Sequence, residues 1–190
     1  MSAFTHALID DLCLQLDMRS IADLRRVLAA TSRMGELVDT LLELSHAGRD
    51  PIGRHLVNLS SLATASLEEL ARRHPERSLQ AVVEPNLVVE ADGRLLRIAL
   101  EKLLTNAWKF TADRNAPRIE LGVDRAGAEP VYFVRDNGAH VDPSHVGAAF
   151  CGTGVGLATV RRIVERHGGR LWSECGPSEG GQILFTLPPR

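Results

Sequence analysis

Gly152-Thr153-Gly154-Val155-Gly156-Leu157 runs directly into Ala158-Thr159-Val160-Arg161-Arg162-Ile163-Val164-Glu165-Arg166-His167, and the fold is decided at this junction. Glycine at every second position lets backbone approach a ligand closely, because no Cβ intervenes and positive φ is allowed. The residues from Leu157 onward carry a helical pattern. A glycine loop feeding a helix N-terminus aims unpaired N–H groups and the positive end of the helix dipole at one spot, which suits phosphate. Taken alone, the run is compatible with phosphate binding or with a tight turn. Its neighbours must choose between them.

Composition narrows the field. The chain has 190 residues, 44% hydrophobic and 24% charged, ordinary proportions for a globular protein. A net charge of -2 gives no reason to expect nucleic acid or an anionic membrane as partner. Cys13, Cys151 and Cys175 are far apart and show no C-x-x-C spacing. They are expected to be free thiols in a reducing cytoplasm rather than zinc ligands or disulfides. No apolar run approaches the roughly 20 residues of a membrane span, and Ser2-Ala3-Phe4-Thr5-His6 lacks a basic leader. A cytoplasmic chain without a membrane segment is therefore expected.

The first 48 residues predict a helical hairpin. Leu8, Ile9, Leu12 and Leu16 form one apolar stripe, and Asp17 to Ser20 is a polar break. Ile21, Leu24, Val27, Leu28, Met34, Leu37, Val38, Leu41 and Leu44 continue at spacings of three and four. Two helices cannot bury such a stripe alone. A homodimeric four-helix bundle through residues 8–44 is the expected solution, the alternative being packing on the chain's own C-terminal domain. Residues 49–58, with Gly48, Pro51 and Gly53 at or near them, read as a linker. Residues 59–190 change to mixed α and β. Ser60 or Ser61 should start a helix to about Arg73, and Asp92 should cap one running to about Phe110. Strands are expected at 79–83, 87–90, 118–124, 131–135, 170–174 and 182–187. The class is α+β: a helical hairpin, then an α/β sandwich on a mixed, largely antiparallel sheet.

Three stretches carry chemistry. On the helix from Asp92, Asn106 is an amide that either satisfies a structural need or ligates a metal–phosphate unit. Lys109, three residues on, shares its face and could contact phosphate. Asp136-Asn137-Gly138 ends a strand; it is either a plain turn or a carboxylate that accepts a hydrogen bond from an adenine amino group, with Gly138 making room for the base. The third stretch is the glycine loop.

Their order resembles the ATP-binding domain of sensor histidine kinases, the class shared with gyrase, the ninety-kilodalton heat-shock chaperone and MutL. LLRIALEKLLTNAWKFT (residues 95–111), VYFVRDNG (131–138) and GTGVGLATVRRIVERHGGRLW (152–172) look like that family's N, G1 and G2 boxes. RMGELVDTLLELSHAGR (33–49) resembles the end of the dimerisation hairpin of phytochrome-like kinases. The resemblance implies a Bergerat-type sandwich, with ATP and Mg2+ as cofactors. Asn106 would hold Mg2+, Lys109 would contact phosphate, and Asp136 would read adenine beside Gly138. Gly152, Thr153, Gly154, Gly156 and Leu157 would cradle phosphate. The implied reaction is γ-phosphoryl transfer to a histidine, and the implied partner is a response-regulator receiver domain.

The departures matter too. The family's acceptor histidine is followed by an acid and then a proline, whereas Thr5-His6-Ala7-Leu8-Ile9-Asp10 has neither at the required place. His6 is thus a weak acceptor candidate and His46 a poorer one; an acceptor on another protein is an alternative. Lys102 stands one turn before Asn106, where the family has Asn and the gyrase group Glu. His140 replaces a glycine, and the segment from Val141 to Cys151 is too short for a full lid, with Phe150 as a remnant. Two functions follow: an active two-component histidine kinase, or a catalytically degenerate relative that serves as a dimeric phosphotransfer or docking protein for response regulators.

Overall fold

The computed structural model describes residues 52–138, 155–175 and 180–189. The hairpin predicted over residues 1–48 lies outside them. The described residues belong to one of the chain's two units, Ala47–Arg190.

Element order is β1 (His55–Asn58), α1 (Leu59–Arg73), β2 (Gln80–Val83), β3 (Val88–Ala91), α2 (Gly93–Phe110), β4 (Arg118–Asp124), β5 (Val131–Asp136), α3 (Val155–Arg166), β6 (Leu171–Cys175) and β7 (Gly181–Thr186). Five strands form one sheet in the order β2-β4-β5-β7-β6. β2 runs parallel to β4, and the other neighbours are antiparallel. β1 and β3 pair separately, His55 opposite Ala91 and Asn58 opposite Val88.

Alternation decides which face of the sheet meets the helices. Ile119 and Leu121 of β4 and Tyr132 and Val134 of β5 are buried. Tyr132 also stacks on its register partner Phe185 of β7, with centroids 5.5 Å apart. Against this face lies α2, which buries Leu95, Leu96, Ala99, Leu100, Leu103, Leu104, Ala107 and Trp108. Fully enclosed leucines such as Leu104 would each cost about 2–5 kcal/mol on truncation to alanine. α3 contributes Val160, Ile163 and Val164 to the same core.

Both ends of α2 are fastened. At its start, Asp92 accepts hydrogen bonds from the N–H groups of Arg94 and Leu95, at 3.1 and 3.2 Å. The Asp92 N–H donates in turn to His167 Nε2 at 3.0 Å, so the proton of this buried imidazole sits on Nδ1 and is donated to Ile163 O. At its end, Arg77 donates to Trp108 O at 2.6 Å and to Thr111 Oγ1 at 2.7 Å, while Thr111 Oγ1 donates to Ala107 O. These bonds satisfy carbonyls that the last helical turn leaves open, and they place positive charge at the negative end of the dipole.

Three details differ from the sequence expectations. His55–Asn58 is a strand rather than linker, because β3 supplies its backbone partners from thirty-odd residues away. α1 is capped by Asn58, whose Oδ1 accepts from Ser61 N at 3.0 Å. Ser60 is instead buried and turned to the β2–β3 connection, donating to Glu84 O and accepting from Leu87 N. α3 begins at Val155, two residues before the expected start, so Gly156 lies inside its first turn.

Candidate functional site

α2 sets out three of the side chains. Lys102, Asn106 and Lys109 are spaced by four and three residues and therefore share one helical stripe. Lys102 and Asn106 are half-buried, and Lys109 is exposed. Among the described residues, none hydrogen-bonds the Asn106 side-chain amide. A half-buried amide left open in this way suits a bound group, since buried polar atoms are normally paired.

The first turn of α3 lies beside the Lys102 end of this stripe. A Cβ placed on Gly156 would stand 3.9 Å from Lys102 Cδ. Backbone N–H groups in a first helical turn have no intrahelical partner, and no acidic residue occupies this one. Leu157 is half-buried and packs on the core. Gly152, Thr153 and Gly154 lie outside the described residues, as do His6, His46, His140 and Phe150.

The end of β5 lies beside the other end of α2. Asp136, half-buried, accepts from Gly138 N at 2.8 Å through Oδ1. Burial pushes its carboxyl above the ordinary carboxylate value; hydrogen bonds from the N–H groups of Gly138 and Gly181 and the nearby charge of Arg114 pull the other way. Gly138 is packed so closely that a Cβ would stand 2.6 Å from both Asp136 Oδ1 and Phe110 O. Arg114 donates to Gly138 O at 2.8 Å.

The middle residue of the triplet has a different task. Asn137 accepts from Arg118 N and donates to Ala116 O, both at 2.8 Å. It pins the turn to the start of β4. Asp136 and Gly138 are thereby left facing α2.

Sequence reasoning missed Gly180 and Gly181, which it placed only in a turn. Gly180 has φ +71°, and a Cβ there would fall 1.7 Å from Asp136 O. Gly181 lies over the Asp136 carboxylate, 3.6 Å from Oδ2 to a Cβ position. The adjacent pair of glycines ahead of a strand was the available signal. Its target, more than forty residues away, was not visible.

The layout is therefore a carboxylate beside the C-terminal end of α2, a cation and a helix N-terminus near the middle of α2, and an open amide between. Residues 91–190 match the family model described as Histidine kinase-, DNA gyrase B-, and HSP90-like ATPase. The chain belongs to this ATPase family. Its fold, an α+β sandwich on a mixed sheet, is that of histidine kinase ATP-binding domains. The mycobacterial sensor histidine kinase MprB superposes with a TM-score of 0.58 at 24% identity, over 72% of this chain and 97% of that one. The nucleotide-free catalytic domain of histidine kinase ThkA gives 0.60 at 22%, over 72% and 95%. Among curated proteins, the methanogenesis regulatory histidine kinase FilI of Methanothrix harundinacea is 35% identical over 177 residues. Cyanobacterial phytochrome A of Nostoc sp. is 30% identical over 186 residues. These alignments cover 87% and 92% of this chain but 20% and 24% of the two relatives. The chain thus spans a quarter or less of each.

Membership in the ATPase family implies ATP binding. Asp136 offers an acceptor and Asn106 an amide without a partner among the described residues, while the space beside Gly138, expected to admit the base, is filled by Phe110 O and Asp136 Oδ1. Among those residues no cluster of three or more His, Cys, Asp or Glu could hold a metal ion. Among these residues the Asn106 oxygen could join phosphate oxygens around a magnesium ion. No helix of the described residues is long and apolar enough to cross a membrane.

Proposed function

We propose that the chain is the nucleotide-binding core of a two-component sensor kinase, passing the γ-phosphoryl group of ATP to a histidine. One observation carries this: Asp136 is held at the end of β5 by backbone N–H groups, among glycines, facing the same helix that presents Asn106. ATP supplies the phosphoryl group, and Mg2+ would neutralise charge on it. The protein's own part is positioning, as expected for phosphoryl transfer. Asp136 accepts from the base amino group, and Gly138 holds the carboxylate in place by donating its N–H to Oδ1. Asn106 is the residue that would hold the metal, and Lys109 reaches phosphate from the exposed side. Gly152, Thr153, Gly154, Gly156 and Leu157 bring backbone N–H groups to the phosphates.

The partner is a response-regulator receiver domain, and residues 8–44 form a homodimer. The site of action is cytoplasmic. Incubation with γ-labelled ATP, with and without receiver domains, tests the activity: label should become acid-labile and histidine-linked. His6 is the acceptor candidate within the chain, so His6→Ala reports whether the label is its own. Calorimetric titration tests the binding step, and no heat at millimolar ATP would refute it.

A second function is favoured by Lys102. An ammonium has no lone pair to offer a metal, so this position cannot contribute a ligand as Asn or Glu would. A degenerate relative that docks or relays phosphate between response regulators would show receiver-domain binding that is indifferent to nucleotide.

A further inference from the structure

We infer that the cavity between the β2–β3 connection and the β4–β5 turn is a binding site for a small carboxylic acid with an apolar body, whose carboxylate is held by Tyr132 and Arg125. The cavity lies at the end of β5 opposite Asp136 and is independent of the proposed nucleotide site.

Its volume is about 320 Å3, at the lower end of the roughly 300–1,000 Å3 typical of small-molecule sites. Leu87, Val88 and Pro130 supply an apolar wall. Val88 is 50% exposed, so apolar surface stands in water here that a ligand would cover. Tyr132 also lines the cavity, its ring anchored on Phe185 of β7. Only 7% of Tyr132 is exposed, yet its hydroxyl hydrogen-bonds none of the described residues. A buried phenol ordinarily finds a partner. Burial pushes this phenol above its ordinary value, and the Arg125 guanidinium draws it back, so the hydroxyl end of the ring is the end near Arg125.

Arg125 lines the same cavity and is steadied by Glu84, whose Oε1 accepts from one terminal N–H group at 2.8 Å. Glu84 is itself fixed by Val123 N at 3.0 Å. That pairing leaves most of the guanidinium N–H groups without a partner among the described residues. Asn86, exposed and lining the cavity, adds an amide in the same condition. No acidic side chain among the described residues lines the cavity. The open groups are chiefly donors, and a carboxylate accepts from several donors at once. Glu84 cancels part of the Arg125 charge, which suits a singly charged carboxylate over a doubly charged phosphate.

Benzoate is the probe, in a ligand-observed NMR titration of the full chain. It should bind saturably with Kd of about 1 mM or below. Benzamide has the ring without the charge and acetate the charge without the ring; each should bind at least about tenfold more weakly. Phenyl phosphate should bind no better than benzoate. Tyr132→Phe and Arg125→Met should each lose about tenfold in benzoate affinity. Because the Tyr132 hydroxyl has no partner to lose, Tyr132→Phe should melt with the native protein. Saturating ATP should leave benzoate binding unchanged.

The inference is overturned if benzoate fails to bind at about 10 mM, or if benzamide, acetate or phenyl phosphate matches or exceeds it. It is also overturned if either variant binds benzoate like the native protein. A lower melting temperature for Tyr132→Phe would show that the hydroxyl is spent within the fold and would remove the basis for the site. Competition by ATP would place benzoate in the nucleotide site instead. Failure of ATP to bind at all bears on the proposed function alone.

Discussion

At the proposed base end of the site, nearly everything is backbone. Asp136 is fixed by N–H groups of Gly138 and Gly181, Gly138 is wedged against Phe110 O, and Gly180 touches Asp136 O. At the proposed phosphate end, the described parts are charge and a helix terminus: Lys102 and the first turn of α3. Backbone geometry admits few substitutions, because a methyl group has nowhere to go. Charge on a long side chain can be exchanged, weakened by salt or replaced by a metal. The two ends should therefore respond to mutation differently: the first through shape and stability, the second through ionic conditions.

The largest effect should come from Gly180→Ala. It combines a left-handed φ with a Cβ placed 1.7 Å from a carbonyl oxygen, so it should cost at least about 3 kcal/mol. Chemical denaturation measures it, and a loss below about 1 kcal/mol would show that β7 shifts freely and that the base end is not rigid. Next is Asp136→Ala, expected to weaken ATP by roughly a hundredfold through loss of a charged acceptor. Calorimetry at fixed Mg2+ checks it. A loss no larger than that of Lys109→Ala would show that Asp136 does not read the base.

His167 provides a test that bears on neither end directly. Burial pushes its imidazole below the ordinary value of 6.5. The unfolded chain therefore takes up the proton first as pH falls. Its contribution to stability is complete above about pH 6.5 and is lost progressively on acidification towards the depressed folded value. Thermal melts from pH 7.5 to 5 should show this decline, and His167→Gln should flatten it. The smallest effect belongs to Lys109→Ala. An exposed cation should be worth roughly two- to fivefold in ATP affinity at low salt and almost nothing in half-molar salt.

What could be seen in the sequence was local. Asp92 and Phe110 bound α2 because capping and a 3.6-residue period are short-range signals. Strand alternation showed β4 and β5 for the same reason. What escaped was non-local. HLVN at 55–58 carries little pattern, and only pairing with residues 88–91 makes it a strand. Gly156 looked like loop because glycine is a poor helix former, yet α3 already includes it. Ser60 looked like a cap, but its hydroxyl is spent on Glu84 and Leu87. At the site, the order of Asn106, Asp136 and the glycine loop was legible from spacing and resemblance. The enclosure of Asp136 by Gly180 and Gly181 was not, since it depends on β5 and β7 lying side by side.

Arg54 makes the two ends of residues 52–189 neighbours. Its guanidinium donates to His167 O at 2.7 Å and to Pro188 O at 3.1 Å, just ahead of β1 and just beyond β7. A polypeptide whose beginning and end already touch is topologically close to a ring. Joining them by a short peptide and opening the chain at Arg125-Ala126-Gly127, at the sheet end away from Asp136, should yield a circularly permuted domain that still folds. The order in which the ribosome delivers these strands and helices would then be a matter of history, with the architecture indifferent to where the chain is cut.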